Sequence, residues 1–226
     1  MKPFPVLLVA LLCLVPSACG PDRVDREDTE IRDGLLYRVG SEVPFTGVVI
    51  VVDSANLETE AQFRDGVRNG LTVGVFANGQ RAFEEPYVNG VLHGVRHQWD
   101  MNGVLVLQRE MKEGRPSGPS REWYSSGARK LESTYAAGSL TGVTTAWYES
   151  GQKQFERSYR EGRRHGMATE WYESGAIRSE TTWRTGKPDG PYAAWHEDGQ
   201  KSAEGRYLEG ELIELTRWDT DGKMLP

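Results

Sequence analysis

Hydrophobic and polar positions recur along this chain with a period of 24 residues. Glycines mark the period in three parallel series, at 66, 90, 114, 138, 162, 186 and 210, at 70, 94, 118, 142, 166 and 190, and at 79, 103, 127, 151, 175 and 199. Apolar residues follow the second series at offsets of 1, 5, 13 and 17, as in Val143, Trp147, Phe155 and Tyr159. Because no insertion interrupts these series, the chain is predicted to be an array of equivalent units.

Each unit is predicted to be a β-hairpin closed by a three-residue loop. The loop 173–175 (Glu-Ser-Gly) separates two runs of β-forming residues. Three-residue hairpin loops commonly place glycine in the left-handed conformation. With this loop length, Tyr172 is predicted to oppose Ala176, and Trp171 to oppose Ile177. The second connection of the unit, 184–190, is rich in Gly and Pro and is predicted to be a looser turn.

The four apolar offsets are all odd, and residues two apart share a face of a strand. The pattern therefore predicts that Met167, Trp171, Ser179 and Trp183 lie on one packed face. Successive hairpins are expected to join edge to edge over residues 33–223. The predicted fold class is all-β, a single-layer antiparallel meander of stacked β-hairpins, elongated and twisted.

One unit carries a resemblance to a known repeat. Residues 159–175, Tyr-Arg-Glu-Gly-Arg-Arg-His-Gly-Met-Ala-Thr-Glu-Trp-Tyr-Glu-Ser-Gly, resemble a MORN repeat in its bacterial variant. The shared part is the spacing of aromatic, Gly, Gly, aromatic and turn Gly. Most units lack the second Gly of the G-x-G pair of the eukaryotic pattern. Segments 33–37 and 44–47 resemble a divergent leading repeat, so the resemblance covers about 33–223. It implies an array that serves many kinds of partner.

The N-terminus predicts export. A short basic start precedes an apolar run over 4–15, which is too short to span a bilayer comfortably and is typical of a signal peptide. Ser17-Ala18-Cys19-Gly20 resembles a lipobox, although Pro16 stands where Leu or Val is usual. We therefore expect a signal peptide over 1–18 and a lipidated Cys19 that anchors the protein to a membrane. Ordinary cleavage near Ala18, which would leave Cys19 as a lone thiol, is the alternative.

Composition narrows the function further. The net charge is −6 and the pI about 5.4, which disfavours nucleic acid as a partner. Cys13 and Cys19 are the only cysteines, so a disulfide framework is excluded. Residues 19–32 are polar and lack periodicity, which predicts a flexible tether after the lipidated cysteine. A first strand hidden in 20–32 is the alternative.

A candidate binding face is predicted on the even-numbered positions. It combines an aromatic stripe with an acidic stripe, and its candidate residues are Tyr124, Tyr148, Tyr172, Glu132, Glu156 and Glu180. Cross-strand ion pairs are expected between Glu122 and Lys130 and between Glu170 and Arg178. The alternative is a solvated face whose tyrosines cover backbone and whose charges keep the array soluble.

The residue types offer little catalytic chemistry. The four histidines are His93, His97, His165 and His196. His93 and His165 precede the unit glycine three units apart, so they cannot meet at one metal and are expected to be turn residues. The sequence lacks a Cys/His cluster, a phosphate-binding loop and a nucleophile motif. We therefore expect no enzyme activity, no catalytic residues, no metal and no cofactor.

These observations predict an exported, lipid-anchored repeat protein that acts as a protein-binding or scaffolding module in the cell envelope. Its partner is expected to be another protein or an envelope polymer. In a Gram-negative host, the predicted location is the outer membrane or the periplasmic side. The resemblance also leaves open an antitoxin or immunity role in a toxin–antitoxin pair. Contact with membrane lipids is a third possibility, which the net acidity disfavours.

Overall fold

A computed structural model of the protein describes residues 20–226, so the expected signal peptide and Cys19 lie outside the described residues. The described chain forms twenty β-strands and one 3₁₀ helix, Arg26–Asp28. Eighteen of the strands belong to one sheet, and β2 and β3 form a separate hairpin.

The strands before the regular units are short. They are β1 (Arg23–Asp25), β2 (Thr29–Arg32), β3 (Leu35–Arg38), β4 (Gly47–Val52) and β5 (Glu58–Arg64).

The strands of the regular units are mostly eight or nine residues long. They are β6 (Val67–Val75), β7 (Arg81–Val88), β8 (Val91–Leu92), β9 (Gly94–Trp99), β10 (Leu105–Lys112), β11 (Arg115–Trp123), β12 (Arg129–Ala136), β13 (Ser139–Trp147), β14 (Lys153–Arg160), β15 (Arg163–Trp171), β16 (Ile177–Arg184), β17 (Lys187–Trp195), β18 (Lys201–Leu208), β19 (Glu211–Trp218) and β20 (Met224–Leu225).

From β4 onward, each strand pairs antiparallel with the next, and β8 and β9 are two pieces of the strand beside β7. The sheet stays open and has a single layer along the units. The predicted all-β meander of hairpins is confirmed.

The three-residue loop is also confirmed. The amide of Tyr172 donates to the carbonyl of Ala176 at 2.9 Å, and the amide of Gly175 donates to the carbonyl of Tyr172 at 2.9 Å. Gly175 has a φ of 88°, in the left-handed region. Trp171 pairs with Ile177. The Glu-Ser-Gly sequence therefore closes the hairpin as the residue types predict.

The looser turn predicted over 184–190 is wrong. Arg184 pairs with Lys187, which leaves a two-residue turn at Thr185 and Gly186 with φ values of 49° and 86°. Two consecutive positive φ values define a type I′ turn, whose twist matches that of the flanking strands. The rest of the segment, Pro188 included, belongs to β17.

The predicted assignment of faces is wrong as well, because each hairpin contains a further bulge. Trp171 pairs with Ile177 but Glu170 pairs with Ser179, so one extra residue sits in β16. The extra residue shifts the alternation by one. Met167 and Trp171 therefore lie on one face, whereas Ser179 and Trp183 lie on the other.

We call the two faces of the sheet the packed face and the open face, and we define them by residues 143–146 of β13. The packed face carries Thr144, which is 5% exposed, and Ala146, which is 4% exposed. The open face carries Val143, which is 54% exposed, and Thr145. Cross-strand partners share a face, so the strand registers assign the other units to the same two faces.

The flexible tether predicted over 19–32 is wrong for residues 23–32, and the alternative of a hidden first strand is confirmed. β1 pairs in parallel with β4. Val24, on β1, is 7% exposed and joins a core cluster with Leu36, Phe45 and Val49, and the partly buried Phe63 packs against it. Val24 is thus buried against the first long strands of the sheet, whereas Ile31 of the same segment is exposed.

Candidate binding face

Small buried side chains run in a row across the packed face. Thr144 lies beside Arg157 in the register, and Arg157 lies beside Ala168. Ser120, Thr144 and Ala168 are 2%, 5% and 7% exposed. Large neighbours cover the row: the Arg157 guanidinium lies 3.8 Å from the centre of the Phe155 ring. The packed face is therefore covered by its own side chains, without a second layer. Arginine side chains stack on aromatic rings, and small residues lie beneath them.

The bulge also gives two glutamates different partners from those predicted. Leu131 and Ser179 are the residues opposite Glu122 and Glu170. The expected pairs with Lys130 and Arg178 are replaced by ion pairs to the preceding strand, Arg109–Glu122 at 3.2 Å and Arg157–Glu170 at 2.7 Å. Lys130 and Arg178 are themselves the bulge residues. In a hairpin without the bulge, they would lie opposite Glu122 and Glu170.

The open face displays a row of apolar side chains. In each of the six units, the residue that follows the glycine of the second series (70, 94, 118, 142, 166 and 190) is exposed. Val143 is 54% and Met167 58% exposed. The full row is Leu71, Val95, Pro119, Val143, Met167 and Pro191. No second layer covers this row within residues 20–226, so six equivalent apolar groups face solvent.

A row of half-buried tryptophans lies on the same face, nearer the three-residue loops. Trp147 pairs with Lys153 across the strands, and the Lys153 ammonium binds the Glu156 carboxylate at 2.7 Å. Glu156 pairs in turn with Thr145 of the open face. The equivalent tryptophans of the other units are Trp99, Trp123, Trp171 and Trp195.

Three of the predicted site residues, Glu132, Glu156 and Glu180, form a row between the two apolar rows. Their cross-strand neighbours are Thr145 and Thr169. Basic groups accompany two of the three, because Arg121 lies 3.4 Å from Glu132 and Lys153 lies 2.7 Å from Glu156. The predicted acidic stripe is therefore a row of mixed charge on the open face.

The other three predicted site residues hold neighbouring units together. The hydroxyls of Tyr124, Tyr148 and Tyr172 donate to the carbonyls of Trp147, Trp171 and Trp195 at 2.8, 2.9 and 2.8 Å. His196 continues the row, with Nε2 at 3.1 Å from the Trp218 carbonyl. Each tyrosine thus reaches the end of the equivalent strand one unit further on.

The tyrosines and glutamates do not form one surface. Tyr124 lines a cleft of about 410 Å³ together with the packed-face residues Leu107, Arg109 and Glu122. Glu132 follows Leu131, which faces Glu122, so Glu132 lies on the opposite face. A binding role for these six residues stays a prediction. The spacing of 23 residues from tyrosine to tryptophan could have indicated the hydrogen bonds, but only once the loop register was known.

Asp100 occupies the tyrosine position in the unit before Tyr124. Its Oδ1 accepts hydrogen bonds from the amides of Asn102 and Val104 at 2.9 and 3.0 Å. The bond from the Val104 amide is the main cause that lowers the pKa of the Asp100 carboxyl. At this position the side chain stabilises its own loop instead of reaching the next unit.

The described residues offer no metal site, because residues 20–226 contain no group of three or more His, Cys, Asp or Glu side chains arranged to hold an ion. His165, which was expected in a turn, lies in β15, and His97 lies in β9. His97 packs against Trp99 on the open face, with ring centres 5.6 Å apart. Separately, the described chain has no helix of the length and apolarity needed to cross a membrane.

Comparison with protein families finds a match in two segments of the chain. Residues 140–161 and 164–184 match the family model described as MORN repeat variant. No curated protein matches the chain. The two matched segments correspond to the consecutive hairpins β13–β14 and β15–β16. MORN repeats are generally protein- or membrane-binding modules and are typically non-catalytic. Two successive units at the centre of the array are therefore similar to the MORN repeat variant.

Proposed function

We propose that the protein is a binding module whose open face holds an extended protein partner. The observation that carries the proposal is the row of exposed apolar residues, one in each of the six units. Folding does not require these side chains, because burial in the units is concentrated on the packed face. A large apolar side chain left in water at every repeat is typical of an interaction surface.

The chemistry of the open face fits a polypeptide better than a small ligand. Two strands per unit set the exposed apolar groups roughly 10 Å apart. The mixed-charge row that contains Glu132 and Glu156 lies between these groups and the tryptophans. A chain that crosses the strands would meet an apolar contact in each unit and polar contacts between them. Repeated contacts add up along one partner, so several modest contacts give useful affinity.

The proposal also includes the cellular location of the protein. The lipobox-like sequence that ends at Cys19 favours a lipid-anchored envelope protein, which is exported and faces the periplasm in a Gram-negative host. Replacement of Cys19 by Ser would then move the protein from the membrane fraction to the soluble fraction or leave the precursor unprocessed. If the unaltered protein enters the aqueous phase of a detergent partition, the anchor is disproved.

The binding role is tested by affinity capture of the intact protein from its own envelope, followed by identification of the captured protein. Val143→Ser combined with Met167→Ser removes two of the exposed apolar groups. We expect this variant to lose at least about tenfold in affinity, since each apolar side chain that the partner buries contributes about 1 kcal/mol or more. The matched control is Val39→Ser combined with Val43→Ser, which replaces two similarly exposed residues in the loop after β3, outside the main sheet.

A second arm removes residues 142–165, one whole unit. The shortened array keeps its strand alternation because 24 is an even number, so it is expected to fold. Its affinity should decrease by a fraction of the whole instead of disappearing. Equal loss in the control pair, or complete loss from a single substitution elsewhere, would show that the function does not reside in the repeated open face. If the captured protein is a toxin, this protein has an immunity role, and the same variants still test which surface binds the toxin.

A further inference from the structure

The two-residue turns of three units are each flanked by two basic residues that pair directly across the strands. The pairs are Lys112–Arg115, Arg160–Arg163 and Arg184–Lys187. Like charges directly opposite each other destabilise a sheet. The turn between β12 and β13 has Ala136 and Ser139 at these positions, so the turn itself does not require the charges.

A cleft lies beside two of these basic pairs, and the two clefts are equivalent. The first, of about 460 Å³, is lined by Lys112, Glu113, Arg115, Ser117 and Ala137. The second, of about 330 Å³, is lined by Arg160, Glu161, Arg163, His165 and Thr185. Each residue of the second cleft lies two 24-residue periods after its counterpart in the first. The array therefore forms the same cleft twice.

The basic groups of both clefts have no ion-pair partner in the described part of the chain. Lys112, Arg115, Arg160 and Arg163 are exposed, and the ion pairs of the surrounding strands do not include them. One glutamate lines each cleft at the tip of its turn, but neither glutamate forms an ion pair among residues 20–226. Each cleft therefore keeps an excess of positive charge.

The third basic pair indicates which group the clefts fit. In this unit, Asp189 stands at the position that Ser117 and His165 occupy in the clefts. The Nε atom of Arg184 lies 3.0 Å from Oδ2 of Asp189, and the aspartate side chain is only 14% exposed. A carboxylate of the chain itself thus binds the basic pair here, whereas the two clefts lack one at the same place.

We infer that the two clefts bind carboxylate side chains of an acidic polypeptide. A guanidinium donates two parallel hydrogen bonds to a carboxylate. A negative charge between two opposed cations also offsets their repulsion. The inference rests on the proposed function, because it states the chemistry of the polypeptide that the open face holds.

The clefts border the exposed apolar row of the open face. Glu156, Ser158 and Arg160 alternate along β14 and therefore share the open face. Val143 of the apolar row pairs with Ser158, so the basic pair lies roughly 7 Å further towards the turn. A polypeptide that crosses the strands would set apolar side chains on the row and carboxylates in the clefts.

The spacing of the clefts sets the spacing of the acidic residues. The basic pairs lie four strands apart, or roughly 19 Å, and an extended segment covers this distance in about six residues. A phosphate-bearing membrane surface would use the same cations. The carboxylate of Asp189 and the net charge of −6 favour an acidic polypeptide instead.

Fluorescence anisotropy of two labelled peptides with the full chain in mild detergent tests the inference. Both peptides carry leucines between two positions about six residues apart, which are Glu in one peptide and Gln in the other. We expect the Glu peptide to bind at least about fivefold more tightly. Arg160→Gln combined with Arg163→Gln should remove at least about threefold of this affinity. The matched control is Arg129→Gln combined with Arg178→Gln, which removes the same charge from exposed residues at the three-residue loops.

Two further variants exchange the groups of the second cleft and the third unit. His165→Asp should fill the second cleft as Asp189 fills the third, and it should weaken binding of the Glu peptide. Asp189→Ser should free the third basic pair and strengthen that binding. Circular dichroism checks that each variant keeps the fold.

Equal binding of the two peptides, or an equal loss in the control, would overturn the inference. Anionic phospholipid vesicles that need Arg160 and Arg163, without a preference for the Glu peptide, would overturn it in favour of phosphate. The captured partner separates the inference from the proposed function. If Val143→Ser with Met167→Ser weakens binding of that partner but Arg160→Gln with Arg163→Gln does not, only the carboxylate clefts are wrong.

Discussion

The two faces of the sheet use neighbouring residues of the same strand for different purposes. In β15, Met167 is 58% exposed whereas Ala168 is 7% exposed. In β13, Val143 and Thr144 show the same contrast, at 54% and 5%. The larger and more apolar residue of each pair is the exposed one. Burial in these units therefore follows position on the sheet and not hydrophobicity.

The physical reason is that a single-layer sheet has no second layer to cover a large side chain. A small residue such as Thr144 is buried because long neighbours on adjacent strands fold over it, as Arg157 and Phe155 do. A large residue at the same place would push those neighbours away. The packed face thus needs small residues in its central row, and the open face keeps large apolar residues that packing does not use.

The largest expected effect is a charge placed on the packed face. Ala146 lies between Leu131 and Phe155 in the register and is 4% exposed. Ala146→Glu should lower the free energy of unfolding by about 3 kcal/mol or more, because a carboxylate would be buried without a partner. Urea unfolding measures the change. Val143→Glu, three residues earlier on the open face, should change it by less than about 0.5 kcal/mol. Similar losses in both variants would remove the distinction between the faces.

The next effect compares two aromatic rings of one hairpin. Phe155, on the packed face, carries the Arg157 guanidinium at 3.8 Å, whereas Trp147 lies on the open face. Phe155→Ala should cost about 2–3 kcal/mol, and Trp147→Ala about 1–2 kcal/mol, because both rings are partly exposed and only the first supports the buried row. Thermal unfolding of the two variants decides the order. Large losses of similar size in both variants would restore the assignment that the odd offsets predict, which puts both rings on one packed face, and a larger loss at Trp147 would contradict the two faces described here.

A smaller effect isolates the tyrosine hydroxyls. Tyr148→Phe removes the hydrogen bond to the Trp171 carbonyl, 2.9 Å long, and little else. We expect a loss of about 1 kcal/mol. Tyr159 serves as the control, since its hydroxyl makes no hydrogen bond to residues 20–226, and Tyr159→Phe should have little effect. Equal stability of Tyr148→Phe and the unaltered protein would mean that the tyrosine row does not hold the units together.

Much of the fold could be predicted because its signals are local. The Glu-Ser-Gly loop closes as its residue types require, and the period of 24 residues sets the meander. The two-residue turns were missed, although Asp33-Gly34 and Asn89-Gly90 are the dipeptides that favour them. Those pairs indicate a tight turn more directly than the proline of 184–190 indicates a loose one.

The faces could not be predicted from the spacing of the repeat. Every unit contains the bulge, so the bulge does not change the period and leaves no sign in it. The extra residue at Arg178 leaves the period at 24 and still exchanges the faces of Ser179 and Trp183. The wrong assignment of faces also affected the candidate site. Its glutamates proved to lie on the open face, whereas Tyr124 borders the packed face. Only the register of the paired strands carries that information.

The most direct test of the two faces is the reactivity of a cysteine at each of two adjacent positions, 167 and 168. Met167→Cys and Ala168→Cys barely disturb the fold, and the labelled peptide is identified by mass so that Cys13 and Cys19 do not interfere. Under native conditions, a water-soluble maleimide should modify position 167 at nearly the rate of the unfolded chain. It should modify position 168 at least about tenfold more slowly, because labelling there requires local opening. Equal rates, or faster labelling at 168, would contradict the account of a packed face and an open face.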